Sequence, residues 1–360
     1  MENANTALER DDGNATMRDI ADALNISLAT VSRALRRVHG INPETRARVM
    51  QTAAQLGYRM AKSYRNESLR GSKLHQVGVL INTPFTQVPA PYLTGMSDAA
   101  MTLNAALVVH YVRPETCDKI LSPEFQPPAL RANLLSGLIL VFRWPMDVVQ
   151  KLSRQIPTVS IVHKYSGLDV DMVGIDNEDG IEELVTHLHG LGHRKIGFFG
   201  RCNEVYWGKS RFGAYIAAIE GVGISYKSQW AVNVDYVDLS DYRLSWDRYC
   251  EQAERITRQE GVSAWISVTE PAGGRLYAWL TAHNLRVPED VSVTGFHKPD
   301  DAHFSERPLT SVTASYEAIG AAALKRLLYR IQNPAETTRT ILFPCELYPG
   351  ETTSVPPNHH

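Results

Sequence analysis

The sequence predicts an all-α helix-turn-helix head followed by a two-lobed α/β body built on parallel sheets. Three observations predict it. A basic segment near the amino terminus carries helical patterning. A long tract behind it alternates short apolar runs with amphipathic stretches. The length of 360 residues suits two or three domains of ~100–200 residues each. Hydrophobic residues at 44% and charged residues at 21% are globular values and exclude a disordered chain.

The head comes first. Between Thr16 and Lys73 eleven Lys and Arg face four Asp and Glu, a net +7; with a whole-chain charge of −2, the remainder carries −9. A basic head on an acidic body points to a polyanion as the head's partner, although a solvated basic surface has the same arithmetic. The pattern decides between them. Met17, Ile20, Ala21 and Leu24 recur at helical spacing, and Asn25-Ile26 is a turn. Ser27 then caps a second helix, SLATVSRALRR, with Val31, Ala34 and Leu35 inward. Asn42 caps a third that opens on Pro43, turns Ala47, Val49, Met50, Ala53 and Ala54 inward and stops at Gly57. Three short helices with a tight first turn place the second helix in a DNA major groove.

The body follows. Strand candidates are 77–81, 106–111, 137–142, 158–162, 195–200, 264–268 and 291–296, separated by amphipathic stretches. Continuous apolar strands between helices imply parallel sheets covered on both faces, with a ligand at the strand carboxyl ends between two lobes. Cys117, Cys202, Cys250 and Cys345 form no C-x-x-C pair, so neither a zinc knuckle nor a disulfide scaffold is expected and a reducing compartment is. The first fifteen residues lack an apolar run and no stretch reaches ~18 apolar residues, so a secretory signal and a membrane span are not expected and the chain is placed in the cytoplasm.

The run T-M-R-D-I-A-D-A-L-N-I-S-L-A-T-V-S-R-A-L from Thr16, with N-P-E-T-R-A-R-V and Q-L-G-Y after it, resembles the lactose-repressor/galactose-repressor family of bacterial transcription regulators. The blocks V-G-I-D-N-E-D-G (173–180), H-L-x-x-L-G-H-R-K-I-G-F (187–198), L-R-V-P-E-D-V-S-V-T-G-F (285–296) and P-L-T-S-V (308–312) extend the resemblance over the body. It implies a helix-turn-helix domain at 16–62, a hinge at 63–74, a first effector lobe at 75–174 plus 313–340, and a second at 175–312 plus 341–354. The body is then periplasmic-binding-protein-like, crossed near 174, 312 and 340.

For DNA, the resemblance carries base reading to Leu28, Ala29 and Arg33, and phosphate contacts to Thr16, Ser27, Thr30, Asn42 and Thr45, with Met17 beside them. Arg33 can donate a bidentate pair to guanine, worth ~1–3 kcal/mol of discrimination. Leu28 either meets a thymine methyl or packs within the head. Leu69 matches a minor-groove wedge in the hinge, although the hinge is two residues longer than usual when counted from Tyr58 and Met60 stands where the family has Pro.

For the effector, it implies Pro89, Tyr92, His163, Arg211, Tyr236, Glu270 and Lys298. The family's Asn-Asp pair is here Thr269-Glu270, and its Asp after G-F is displaced by His297-Lys298. With Arg211, Lys298 favours a sugar acid or sugar phosphate; an internal pair of Lys298 with Glu270 or Asp300 leaves the ligand neutral. Both alternatives stand.

The function implied is a sequence-specific DNA-binding transcriptional regulator, a repressor of carbohydrate-related genes. It acts as a homodimer on palindromic half-sites of double-stranded operator DNA, under allosteric control by the effector, in the bacterial cytoplasm and on the nucleoid when DNA-bound. Induction and corepression both occur among such regulators. The alternative is a stand-alone sugar-binding or transport receptor, against which stand the missing signal and residues 16–58. An enzyme on phosphorylated sugars comes third: no catalytic constellation stands out, and no cofactor or metal is expected. Gly208-Lys209-Ser210 lacks the first Gly of a phosphate loop, and His187, His189 and His193 lack clustered carboxylates or Cys.

Overall fold

The computed structural model describes residues 16–35, 42–56, 74–82, 90–235, 245–296 and 305–357. Leu69 and nearly all of the hinge, Pro89, Tyr236 and Lys298 lie outside the described residues, as do Gly57 and the side chains of Ala29 and Arg33. The chain divides into two units, Met1–Ser72 and Lys73–His360.

The first unit holds α1 (Met17–Leu24), α2 (Leu28–Leu35) and α3 (Pro43–Gln55). A capping box starts α1: the Thr16 hydroxyl accepts from the Asp19 amide at 3.3 Å, and the Asp19 carboxylate accepts from the Thr16 amide at 2.6 Å. Asn25 stops it in the left-handed conformation (φ 51°), which a short polar side chain tolerates best after Gly. Ser27 Oγ then accepts from the Thr30 amide at 3.1 Å and starts α2. Ile20, Ala21, Val31, Ala34, Val49 and Ala53 form the core, with Met17, Leu24 and Ile26 against it. Ala47 and Met50, expected inside, are exposed. Val49 and Ala53, one turn apart, define the inward stripe of α3, and four apolar residues spread over 47–53 subtend too wide an arc to share it.

The second unit orders as β1 (His75–Asn82), α4 (Ala90–Thr102), β2 (Ala105–Val112), a 3-10 turn (Pro114–Lys119), α5 (Pro128–Arg131), β3 (Gly137–Val141), α6 (Met146–Ser153), β4 (Thr158–Ile161) and β5 (Asp171–Ile175). Then come α7 (Asn177–Gly190), β6 (Ile196–Arg201), α8 (Tyr206–Gly221), β7 (Ala231–Asn233), α9 (Asp247–Glu260), β8 (Ala264–Ser267), α10 (Glu270–Ala282) and β9 (Ser292–Thr294). The last elements are β10 (Ser311–Thr313), α11 (Tyr316–Gln332), β11 (Thr340–Phe343) and β12 (Glu346–Tyr348). One sheet has the order β11-β5-β4-β3-β1-β2 and another β7-β6-β8-β9, both parallel; β10 and β12 form an antiparallel pair. Alternation explains the continuous apolar strands: Val77, Val79 and Ile81 face one core cluster while Leu80 faces another, so both sides of β1 are buried.

The chain passes between the lobes at three places: between β5 and α7, between β10 and α11, and between β11 and β12. The first lobe extends beyond the boundary expected at 340, because Thr340–Phe343 pairs in register with Met172–Ile175. The first and third crossovers are tied together: Asp176 N donates to Phe343 O at 2.8 Å and Cys345 N to Asp179 Oδ2 at 2.6 Å. Asp176 and Ser315 cap the helices that follow their crossovers. Within the first lobe, α4 and α11 touch backbone to backbone at Gly95 and Gly320. A Cβ on Gly320 would meet the Tyr92 carbonyl oxygen at 2.1 Å, and one on Gly95 the Glu317 oxygen at 1.9 Å.

Candidate functional site

Two sites follow from the residues upward, one in each unit. On the head, Leu28 opens α2 with 49% of its surface exposed and is absent from the core cluster, so its place is on the outer face rather than within the head. Ser27 and Thr30 share a 2.8 Å hydroxyl contact at the same end, Asn42 is exposed, and Thr45 is half-buried. Thr16 is exposed, with its hydroxyl donating to Asp19 Oδ2 at 2.8 Å; Met17 is half-buried against the core, which makes it a packing residue first.

In the body, the strand carboxyl ends converge between the lobes. On the first lobe, Tyr92 of α4 and Tyr316 at the start of α11 meet edge to face at 5.4 Å. Burial raises both phenols far above their ordinary range, so both are neutral donors. Among the described residues Tyr92 Oη, in a side chain only 3% exposed, has no hydrogen-bond partner. Phe142 and Val162, just past β3 and β4, adopt φ of 67° and 72°, a conformation costly for side chains this bulky. The turns are held by Asn82 Nδ2 on Arg143 O (2.6 Å), Ser160 Oγ on His163 O (2.5 Å) and Trp144 N on Tyr165 Oη (2.7 Å). Burial, helped by the Arg143 charge, lowers the His163 imidazole to about 4, so it is neutral at pH 7. Its ring lies 6.5 Å from that of Tyr206, on the second lobe's α8.

On the second lobe Arg211 is 3% exposed. Its Nε donates to Asn177 Oδ1 at 2.8 Å and Nη1 to Val268 O at 2.6 Å, and the guanidinium lies 3.7 Å from the Phe296 ring centroid and 5.1 Å from that of Trp207. Burial lowers it to about 10, which leaves it cationic at pH 7. Nη2 makes no hydrogen bond among the described residues. Tyr92 and Tyr316 of the opposite lobe are close enough to Arg211 to perturb its ionisation. Glu270, 4% exposed, accepts from Ser311 Oγ at 2.6 Å and donates its amide to Phe296 O at 2.9 Å. A Cβ on Gly295 would stand 1.9 Å from Glu270 Oε2, which explains the Gly before Phe296.

The structure therefore brings together Tyr92 and Arg211, with His163 facing the second lobe at Tyr206 and Glu270 bracing the strand ends beneath Phe296. Asn177, Trp207, Phe296 and Tyr316 escaped the sequence reading as site residues. Asn177 and Phe296 lay inside the quoted blocks, and Tyr316 four residues past P-L-T-S-V, so position in those blocks was the signal available. Gly208-Lys209-Ser210 is helical; a Cβ on Gly208 would meet Cys202 O at 2.4 Å, so that Gly serves close packing. His187 bonds Thr353 Oγ1, and His193 bonds Ser263, Ser292 and the Ser354 carbonyl, fastening the carboxyl-terminal segment to the second lobe.

Comparison with known proteins bears on both units. A model described as "Bacterial regulatory proteins, lacI family" matches residues 16–60, and one described as "Periplasmic binding protein-like domain" matches 185–353. Its head carries a lacI-family DNA-binding domain and its body a periplasmic-binding-protein-like domain. It is similar to the HTH-type transcriptional repressor CytR of Escherichia coli K12, at 26% identity over 95% of this chain and 97% of that protein. Two solved structures share the fold of this chain. The transcriptional regulator CelR–cellobiose complex has a TM-score of 0.64 at 21% identity, covering 94% of this chain and all of that one. The lac repressor dimer bound to operator and the anti-inducer ONPF has 0.61 at 21%, covering 95% of this chain and all of that one. The protein is a DNA-binding transcriptional repressor with an effector-binding body, and its relatives are repressors rather than enzymes. Among the described residues no helix is long and apolar enough to cross a membrane.

Proposed function

We propose that the protein represses carbohydrate-related genes as a cytoplasmic homodimer on palindromic operator DNA, under control of a sugar or sugar acid held between its lobes. The observation that carries the ligand is Tyr92: a buried hydroxyl without a partner is costly unless a bound molecule completes it, and Arg211 Nη2 stands on the opposite lobe with a donor to spare. The similar CelR protein holds cellobiose and the lac repressor binds operator as a dimer, which supports the same division of labour here.

Leu28 and Ala29 at the start of α2 and Arg33 one turn on read bases, while Ser27, Thr30, Asn42 and Thr45 set register on phosphates, with Thr16 a lesser contact because its hydroxyl serves the cap. Effector contacts made only when the lobes close shift the closed population. Linkage requires DNA and effector to alter each other's affinity by one common factor. The test is a gel shift on DNA upstream of the protein's own gene, at several salt concentrations, with and without a sugar panel. Preference for a palindrome over random duplex is expected; equal binding to both overturns the reading.

A further inference from the structure

Arg201 ends β6 opposite Asn233 of β7, at the carboxyl end of the second-lobe strands, where parallel sheets present ligands. Its guanidinium lies 4.3 Å from the ring centroid of Phe212, the residue that follows Arg211 on α8. Among the described residues its buried Nε has no hydrogen-bond partner, Arg201 makes no ion pair and neither Nη donates to the protein. Of the buried arginines of the body, Arg326 and Arg330 both reach Asp171, at 3.0 and 3.2 Å, and Arg211 is hydrogen-bonded to Asn177 and Val268. A guanidinium held against an aromatic face with its donors unused is placed for something other than packing.

Its neighbours place the end of β6 beside Arg211. Gly200 lies against Val268, whose carbonyl Arg211 holds. Cys202, on the other side, is near enough to Arg143 of the first lobe for that charge to act on its thiol. Arg201, at the carboxyl end of β6, and Arg211, on α8, thus lie on neighbouring elements, and Glu270, at the start of α10, accepts from Ser311.

We propose that Arg201 receives the acid group of an anionic effector, a carboxylate or phosphate ester of a sugar, and sets the site's preference for acids over neutral sugars. This rests on the interlobe site proposed above and names its ligand class. A planar guanidinium with two free terminal nitrogens offers a carboxylate or phosphate parallel charge-assisted hydrogen bonds, roughly twice as strong as neutral ones. Arg211 Nη2 and Tyr92 Oη are left for the ligand's hydroxyls.

The test uses the full chain and matched probes: glucose with glucuronate, ribose with ribose 5-phosphate, and inorganic phosphate. Binding is read by thermal shift and calorimetry. An acid is expected to bind at least tenfold more tightly than its neutral partner, with an advantage that shrinks as salt rises. Arg201→Gln is expected to remove at least tenfold of acid affinity, leave the neutral partner within twofold, and leave ligand-free operator binding unchanged. Arg201→Lys keeps part of the preference. Equal binding of acid and neutral sugar, no binding of any acid, or unchanged acid affinity in Arg201→Gln overturns the proposal. Should Arg201→Gln fail to fold, the acid preference of the unaltered protein and its salt dependence still decide. Failure of the repressor reading shows separately, as loss of operator preference while acid binding persists.

Discussion

Gly320→Ala tests whether the first-lobe half of the effector site is set by helix contact. The added Cβ would lie 2.1 Å from Tyr92 O, 2.8 Å from its carbonyl carbon and 3.0 Å from its Cα, all backbone atoms that no rotamer change can move. Ordinary contact begins near 3.4 Å, so α4 and α11 must part by about 1.3 Å. Overpacking of this kind costs ~1–3 kcal/mol, with the upper end expected against backbone. Alanine returns ~0.5–1 kcal/mol of helix propensity, leaving a net loss of about 2 kcal/mol. At roughly 2–4 °C per kcal/mol the melting temperature should fall by ~4–8 °C. Tyr92 sits at the point of contact, so effector affinity should fall with it, by tenfold or more. Gly213→Ala is the control: it lies in α8, meets nothing within 4 Å, and should be neutral or mildly stabilising. Thermal unfolding by near-ultraviolet circular dichroism and calorimetry with the tightest panel ligand measure both quantities. If Gly320→Ala proves as benign as the control, the backbone contact does not position Tyr92.

Arg33→Ala should weaken specific operator binding by ~1–3 kcal/mol while sparing random duplex, as read by competition gel shift; unchanged specificity removes the base-reading assignment. Asp171→Asn, in a residue of 0% exposure that accepts from Arg326 Nε at 3.0 Å and Arg330 Nη1 at 3.2 Å, should cost ~3–5 kcal/mol in urea unfolding, because two buried guanidiniums lose a charge. His163, His187 and His193 are all lowered from an ordinary 6.5, chiefly by burial, His163 to about 4. The unfolded chain binds their protons first, so their contribution is complete above about 6.5 and is lost as pH falls towards 4. The urea midpoint should drop between pH 7 and pH 5, and a flat or rising midpoint contradicts it.

The head was legible because helix signals are local: Asn25 and Ser27 do the turning and capping their chemistry suggests, and Thr16, read only as a phosphate contact, proves to be the cap of α1. In the body, strands buried on both faces stood out as apolar runs, whereas β5 did not. It starts on Asp171, a charge that belongs inside a sheet only because Arg326 and Arg330, more than 150 residues away, complete it. β11 alternates exposed and half-buried residues at the sheet edge, and no continuous apolar run marks it. The site divides along the same line. Arg211 was legible from its place after a recognisable block, but its partners come from α7, the end of β8 and the end of β9, and no spacing rule links 177, 211, 268 and 296.

Those partners also explain how a ligand at Arg211 can act on the whole body. Asn177 is the first residue of α7, one position beyond Asp176, where the chain leaves the first lobe. Asp176 donates to Phe343 at the third crossover, and Cys345 donates back to Asp179. Tyr316 follows Ser315, the cap at the second crossover, and its ring meets that of Tyr92. On the proposed reading, a molecule bridging Arg211 Nη2 and Tyr92 Oη would pull on residues one or two positions from all three connections. Parallel sheets buried on both faces are stiff, and the crossovers are where rotation costs least. On the proposed control by lobe closure, the motion is expected at the backbone near 176, 314 and 344, and a ligand that touched only one lobe would have no differential hold on it.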